Sequence, residues 1–529
     1  MYLRTAVSYR LSTQGGTMER ILVAGVDTST QSCKVRVTDV LTGELVRFGQ
    51  ASHPEGTSVN PEAWWDAFVE ASRKAGGLDD VSALAVGGQQ HGMVLLDKQG
   101  RVIRDALLWN DTRSTPQAEE LIDTLGALPV ADSESDDLSE DIHQRGIARW
   151  VKAVGSSLVA SLTITKVAWV AQNEPENAHK IAAICLPHDW LSWRIAGNGP
   201  VSEGVAPLEK LFTDRSDASG TAYFDSVRNE YRRDLLALAL GHDDVILPHV
   251  LGPEEIGAIA DPSIAGKDVE RGCIIAPGGG DNAMAALGLG MSAGDVSVSL
   301  GTSGVAAAVS STPVYDTTGA IAGFADCTGQ WLPLACTING SRILNAGCAA
   351  LGIDFDELAR LASQSTPGAQ GITLIPYFDG ERTPNRPQAT AQFYGLTLAN
   401  TTQDNMARAF VEAVLCSQRD CLEYVKALGA SVERIFLIGG GAQSPAIRAY
   451  APGIWEHDVA LPHTDEYVAI GAARQAAWAL NAANHDSPAD AQLNEFTLSD
   501  LPRWDIAIDA ELSGEATPQV YEQYAHYRG

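Results

Sequence analysis

The chain has 529 residues, 45% of them hydrophobic, and 66 Asp and Glu against 37 Lys and Arg give it a formal charge of −29. That length calls for two large domains, and the apolar content is ample for a core in each. The charge argues against nucleic acid or an anionic membrane as partner, so an anionic nucleotide would need a cation and backbone amides to hold it. No run reaches the roughly 18 apolar residues of a membrane span, and the first residues lack the apolar core of a secretory signal. Eight scattered cysteines without zinc spacing read as reduced thiols, which points to the cytoplasm.

Residues 1–20 read as a disordered N-terminal extension, and the fold begins at Ile21. ILVAGVD (21–27) reads as a strand, and SCKVRVTDV (32–40) as its hairpin partner after a turn of small hydroxylated residues. Asn60 is placed to cap a helix with Pro61 at its first position and Trp64, Trp65, Phe68 and Ala71 along one side, where the aromatics suit a core. VSALAVGG (81–88) and MVLLD (93–97) read as strands, and the acidic stretch ADSESDDLSED (131–141) as a solvated insertion without chemistry. PHDWLSWRIAG (187–197) reads as a helix ended by Gly197. TDRSDASGTAYFD (213–225) reads as a polar loop, with too many small residues for a core element.

In APGGGDNAMAALGLG (276–290), which follows the apolar run CIIA, a triple glycine delivers Asp281 to the start of a helix. Glycines let the backbone turn sharply and let a substrate approach without meeting a Cβ atom. A carboxylate so placed can accept a proton from a hydroxyl, and at an ordinary pKa of about 3.9 it would be ionised at neutral pH. Taken alone, the segment reads more simply as a turn whose Asp caps the helix. Its neighbours change that.

DVSVSLGTSGVAAAV (295–309) reads as strand, tight turn, strand, the layout already met over 21–37. Two such hairpins suggest two domains of related fold. A long amphipathic helix follows over 404–428, then RIFLI (434–438) enters Gly439, Gly440 and Gly441, and EYVAIGAARQAAWAL (466–480) closes the second domain as an alanine-rich helix. Backbone N–H groups in tight turns of this kind form anion-binding concavities. The hydroxyls of Thr28, Thr30, Thr302 and Ser303 could add donors. GxxxxGK[ST] is absent, and GLGMSAG (288–294) lies at a helix end, so neither a P-loop nor a dinucleotide fingerprint is present. Asp27, beside the first turn, can hold a hydrated magnesium ion together with phosphate oxygens. It can equally be a turn aspartate bonded to its own backbone.

GVDTSTQSCKV, GGQQHG, LLWNDTR, SDASGT, GGGDN, SLGTSGV, GERTP and IGGGAQS stand in the order and spacing of the FGGY family of carbohydrate kinases, which the chain resembles over 21–479. The resemblance implies an α/β fold of two ribonuclease H-like domains, as in actin, hexokinase and the heat-shock ATPases, with a cleft between them. Residues 21–290 would be the sugar-binding domain and 291–529 the nucleotide-binding domain. It implies ATP and Mg2+ as cofactors and D-xylulose as the sugar phosphorylated, and it admits a homodimer. Relatives acting on ribulose, fuculose, gluconate or glycerol give a second reading, and a non-catalytic sugar-sensing ATPase a third.

The resemblance makes Asp281 the catalytic base and Asp27 the acid that acts through magnesium. Gln90 and His91 would contact the sugar, with Asn110, Asp111, Arg113 and Asn282 close by. Thr28, Ser29 and Thr30, with Gly301, Thr302 and Ser303, would bind the ATP phosphates, and Gly439, Gly440, Gly441, Ala442 and Gln443 would lie against adenosine. Asn110 to Arg113 could instead order a loop, and His91 could be a satisfied core histidine. The chain departs from the family in having Ser29 where glycine is common, a longer connection over 198–212, and the acidic stretch. Ser29 bears on the backbone geometry of the first phosphate turn, and the other two departures bear on substrate identity more than on kinase chemistry.

Overall fold

The computed structural model describes residues 20–129, 139–485 and 501–529. Nearly all of the expected 1–20 extension and residues 131–138 of the acidic stretch lie outside them. Of that stretch, Asp141 is placed as a helix cap, its carboxylate accepting the Gln144 amide at 2.9 Å. The chain forms two compact α/β units. The first runs to Gly290 and includes Phe324–Gly329 and Glu466–Asp505, and the second holds Met291–Gly323, Gln330–Asp465 and Ile506–Gly529.

In the first unit, β1 (Leu22–Thr28) is buried along its whole length, as a central strand with both faces covered must be. It pairs antiparallel with β2 (Ser32–Asp39), which pairs antiparallel with β3 (Leu45–Ser52), completing the hairpin expected from sequence. Helix α1 (Glu62–Lys74) buries Trp64, Ala67, Phe68 and Ala71, the i, i+3, i+4, i+7 stripe of an amphipathic helix. The Asn60 carboxamide accepts the Glu62 amide at 3.0 Å, so the helix starts just after Pro61. β4 (Val81–Gly88) runs parallel to β1.

Several helices follow β4 before the chain returns to the sheet, and two of them bear on the site. α2 (Pro187–Ile195) is followed by Gly197 at φ 79°, the left-handed stop that the sequence suggests. The polar loop expected over 213–225 is core instead. Asp214 caps the short helix α3 (Arg215–Ser219), accepting the amides of Ser216 at 2.8 Å and Asp217 at 2.9 Å. The Ser219 and Thr221 hydroxyls donate to the carbonyls of Ser216 and Ala218, both at 2.6 Å, so the small polar side chains satisfy themselves and can be buried. The long connection over 198–212 likewise contributes Ala206, Leu208 and Leu211 to the core.

β5 (Ala258–Ile259), β6 (Ile274–Ile275) and β7 (Gly279–Gly280) complete a sheet of order β3-β2-β1-β4-β6-β5, with β7 also paired to β4. Gly88 lies beside Thr28 on one side and Gly280 on the other, so three strands end together. The carboxyl ends of parallel strands are where open α/β sheets bind ligands. α4 (Asp281–Gly288) starts there.

The second unit repeats this topology. β8 (Asp295–Leu300) and β9 (Gly304–Ala308) form the expected hairpin, followed by β10 (Ile321–Ala325) and β11 (Trp331–Thr337). Helix α5 (Gln403–Ala427), expected to be amphipathic, is buried nearly all round, with several of its polar residues paired inside the unit. Arg408 pairs with Glu412 at 2.6 Å, and Asp420 accepts the Tyr521 hydroxyl at 2.7 Å. β12 (Arg434–Ile438) and β13 (Val459–Pro462) run parallel to β8.

α6 (Tyr467–His485), which lies within the 291–529 span expected as the nucleotide-binding domain, packs with the first unit. The cause is close backbone packing. A Cβ on Gly25 of β1 would lie 1.8 Å from the Ala469 carbonyl oxygen, and one on Gly471 would lie 1.9 Å from that of Met284 in α4. Ala469, Ala472, Ala473, Ala476 and Ala477 are all fully buried, so only small residues stand between helix and sheet. β14 (Ile508–Leu512) then closes the second sheet as β10-β11-β9-β8-β12-β13-β14. Gly25→Val should cost more than about 3 kcal/mol and lower the urea midpoint clearly. Gly440→Ala, where a Cβ meets nothing within 4 Å, should stay within about 0.5 kcal/mol.

Candidate active site

Asp281 is the first residue of α4, half-buried, and Gly280 brings the chain to it in extended conformation (φ −67°, ψ 146°). Its Oδ1 accepts both the Asn282 amide at 2.8 Å and the Asn282 carboxamide at 3.0 Å. That carboxamide also donates to Gln90 Oε1 at 2.9 Å, tying two of the expected sugar contacts to the expected base. The ordinary ionisation expected from sequence does not hold. Desolvation first, then the negative charges of Asp27 and Asp217, push the Asp281 carboxyl up to about 7, against the lowering effect of the Asn282 hydrogen bonds. A carboxyl poised there is well matched to taking a proton from a hydroxyl near neutral pH.

Asp27 is buried at the end of β1. Its Oδ1 accepts the amide of Ser29 at 3.0 Å and the Ser29 hydroxyl at 2.6 Å, and its Oδ2 pairs with Lys34 Nζ at 3.2 Å. Lys34 also reaches Glu466 at 2.5 Å. Burial alone would lower the Lys34 pKa, but Asp27 and Glu466 raise it above its ordinary value. Thr28 is buried with its hydroxyl unpartnered, and Thr30 Oγ1 accepts the Trp109 indole at 2.9 Å. His53, from the end of β3, donates through Nδ1 to the Ser29 carbonyl at 2.9 Å. The first turn is therefore held by its own hydroxyls and by its neighbours.

His91 is buried at a left-handed φ of 68°, an uncommon conformation for a non-glycine residue. Its Nδ1 donates to the Gly220 carbonyl at 2.9 Å, and its ring packs 5.4 Å from Phe324. Asp111 and Arg113 form a two-pronged ion pair at 2.8 and 2.9 Å, with Thr57 donating to the same carboxylate at 2.8 Å. Burial would raise the Asp111 carboxyl, but the Arg113 and Thr57 hydrogen bonds outweigh it and hold the pKa below the usual range. Arg113 also lies over the Trp169 ring at 5.0 Å, so this pair orders the loop. Asn110 Oδ1 is buried without a partner.

Sequence reasoning missed the group behind the triple glycine. His188, fully buried on α2, donates through Nδ1 to Asp217 at 2.7 Å, and its Nε2 lies 3.2 Å from Asp189. Burial favours neutral imidazole, yet Asp189, Asp217 and Asp214 outweigh it and raise its pKa to about 9. A Cβ on Gly278 would come within 2.6 Å of the His188 ring, and the Ser216 hydroxyl accepts the Gly280 amide at 3.2 Å. The signal was the capping pattern in TDRSD, in which Asp214 precedes the amides it binds.

In the second unit, the turn between β8 and β9 leaves Thr302 and Ser303 exposed. It is backed by residues 340 and 341: the Gly340 amide donates to the Thr302 carbonyl at 3.0 Å, and the Ser341 amide and hydroxyl donate to the Gly301 carbonyl at 2.8 and 2.6 Å. Gly439, at φ 88°, packs directly on the Leu300 backbone, where a Cβ would lie 2.8 Å from its oxygen. The expected phosphate turn and the expected adenosine loop are thus neighbours on this unit. Gln443 is exposed and accepts from Arg448 at 2.9 Å.

The chain is similar to known proteins over most of its length. Residues 22–131 and 126–288 match the N-terminal domain of the FGGY family of carbohydrate kinases, and residues 296–480 match its C-terminal domain. The chain is 39% identical to a xylulose kinase of Streptomyces coelicolor, covering 94% of each chain. It is 40% identical to that of Streptomyces rubiginosus over 86% of this chain and 87% of the other. The crystal structure of a xylulose kinase from Bifidobacterium adolescentis superposes with a TM-score of 0.90 at 67% identity, covering 96% of this chain and 100% of that one. The chain belongs to the FGGY family of carbohydrate kinases and is an α/β sugar kinase of that family.

Proposed function

We propose that the protein transfers the γ-phosphoryl group of ATP to D-xylulose, giving D-xylulose 5-phosphate, with Asp281 as the general base. The similarity to xylulose kinases supports the choice of sugar. The chemistry is carried by one observation, a carboxyl at a strand end, reached through three glycines and raised to about 7. Phosphoryl transfer passes through a loose transition state, so positioning and charge neutralisation dominate over proton removal. Asp281 accepts the hydroxyl proton as the sugar oxygen bonds to phosphorus; Asn282 holds its carboxylate, Gln90 holds the Asn282 carboxamide, and both face the sugar.

Among the described residues no three His, Cys, Asp or Glu side chains gather to hold a metal ion. Asp27 is a single buried carboxylate at a turn, and that donor set fits a magnesium ion carried mainly by ATP phosphates and water. Such an ion would neutralise phosphate charge during transfer. Lys34, already ionised beside Asp27, supplies a second positive charge there. Ser29 fixes the Asp27 rotamer, and the exposed turn 301–303 of the second unit serves the phosphates with backbone amides.

Asp281→Asn should lower turnover by about 10³-fold while the sugar KM changes little. Equal turnover in variant and wild type would remove the base assignment. Because the free enzyme must carry Asp281 ionised, kcat/KM for the sugar should fall about tenfold per pH unit below about 7, the value to which the carboxyl is raised. A limb near pH 4 would contradict this. Coupled ADP release across D-xylulose, ribulose, fuculose, gluconate and glycerol should give its highest kcat/KM with D-xylulose, and a different optimum would reassign the substrate.

A further inference from the structure

The loop that delivers Asp281 has no side chains of its own to hold it, since Gly278, Gly279 and Gly280 precede the acid directly. Three successive glycines have the most backbone freedom to lose, so something outside the loop must fix them. Pairing with β4 and the Ser216 hydroxyl hold Gly279 and Gly280, and Gln475, fully buried in α6, holds Gly278. Its Oε1 accepts the Gly278 amide at 2.8 Å, and its Nε2 donates to the Gly278 carbonyl at 2.9 Å. One carboxamide thereby satisfies both polar groups of one residue, as a paired strand would, and a carboxamide presents a donor and an acceptor together in fixed geometry.

The space around Gly278 excludes a substitute from the loop itself. Its φ is 83°, and a Cβ there would come within 2.6 Å of both the His188 ring and the Val86 carbonyl. Arg474, the preceding residue, donates to the Leu287 carbonyl near the far end of α4 at 2.5 Å. Adjacent residues of one helix thus hold the chain before and after Asp281. Glu466, just ahead of the same helix, pairs with Lys34, which pairs with Asp27. α6 is the shared support of both proposed reactive acids.

We propose that Gln475 is a positioning residue for Asp281, fixing the triple-glycine loop so that the carboxyl is held where the sugar hydroxyl must lose its proton. The proposal rests on the reading of Asp281 as base. Gln475 touches neither sugar nor nucleotide in this role, so its loss should act on turnover and leave ground-state binding nearly intact. A misplacement of the base by about 1 Å costs on the order of 10²-fold. The charged groups that act on Asp281 are Asp27 and Asp217, and neither is altered by a change at Gln475.

The test uses Gln475→Met, which keeps the reach of the side chain and removes both hydrogen bonds, and Gln475→Glu, which keeps the acceptor for the Gly278 amide. Both are measured beside Asp281→Asn, with circular dichroism and urea midpoints confirming a folded chain. Gln475→Met should lower kcat by about 10- to 100-fold with sugar and ATP KM within about threefold. Its acid limb in kcat/KM should move to lower pH as the loosened loop lets water reach Asp281. Gln475→Glu should fall between Gln475→Met and wild type, and it carries the test alone if the methionine variant does not fold. A folded Gln475 variant with wild-type kcat and an unmoved acid limb, while Asp281→Asn is inactive, overturns the positioning role and leaves the base assignment standing. Full turnover in Asp281→Asn overturns both.

Discussion

Mutual repulsion among carboxylates gathered at the end of one sheet is the constraint around which the first unit is built. Burial first, and then the nearby charges of Asp27 and Asp217, raise the pKa of Asp281. In a medium poorer than water such charges interact several times more strongly than at a surface, and the cost must be offset locally. Lys34 offsets it at Asp27, and the imidazolium of His188 offsets it at Asp217. Among the described residues no cation pairs with Asp281, which accepts two hydrogen bonds from Asn282. It is the acid left to carry the shift, and for that reason it is the one suited to exchange a proton near neutrality.

Holding these acids requires backbone at distances that side chains forbid. Gly25, Gly88, Gly278, Gly280, Gly288 and Gly471 sit where a Cβ would fall 1.8 to 2.8 Å from another atom. Each marks a close approach: helix on strand at Gly25, helix on helix at Gly288 and Gly471, and backbone on a buried side chain at Gly88, Gly278 and Gly280. The alanines of α6 complete that contact, and the helix comes from a part of the chain nearly 200 residues beyond α4, Gln475 standing 197 positions from Gly278. The acid's position depends on long-range contacts, from β4, Ser216 and α6, and not on side chains of its own segment, as expected where a reactive group must be placed precisely.

The sequence made the elements with a clear period legible. Both hairpins, α1, α5 and α6 stand where alternation or a helical stripe put them, and Asp281 stands at the head of its helix. Ordered motifs gave the family, which composition could not. What stayed hidden was set by contacts across the chain. The stretch TDRSDASGT looks polar, yet it is core because each hydroxyl finds a nearby carbonyl and Asp217 finds His188. The allegiance of α6 was unreadable because an alanine-rich helix carries no mark of which sheet it covers. The raised pKa of Asp281 was equally unreadable, since Asp27 and Asp217 are brought to it only by the fold. Ser29, which looked like a departure at a glycine position, proves to be the residue that fixes Asp27.

The two hairpin turns share a topology and differ in how they are supported, and the difference bears on what each can give a phosphate. In the first unit Ser29 is committed to Asp27, Thr30 to Trp109, and Thr28 faces inward. The Ser29 hydroxyl is spent on Asp27, so much of the turn's contribution to an anion comes from backbone amides and from Lys34. In the second unit Thr302 and Ser303 are exposed, and the turn is backed through its carbonyls by Gly340 and Ser341. Carbonyls tied down behind a turn leave its amides and hydroxyls for a ligand in front. On the proposed reading the first turn is therefore a fixed electrostatic element organised around Asp27, and the second is the one whose own groups reach the phosphates. Repeating a fold supplied two similar frames, and the side chains placed on them divide charge control from anion binding.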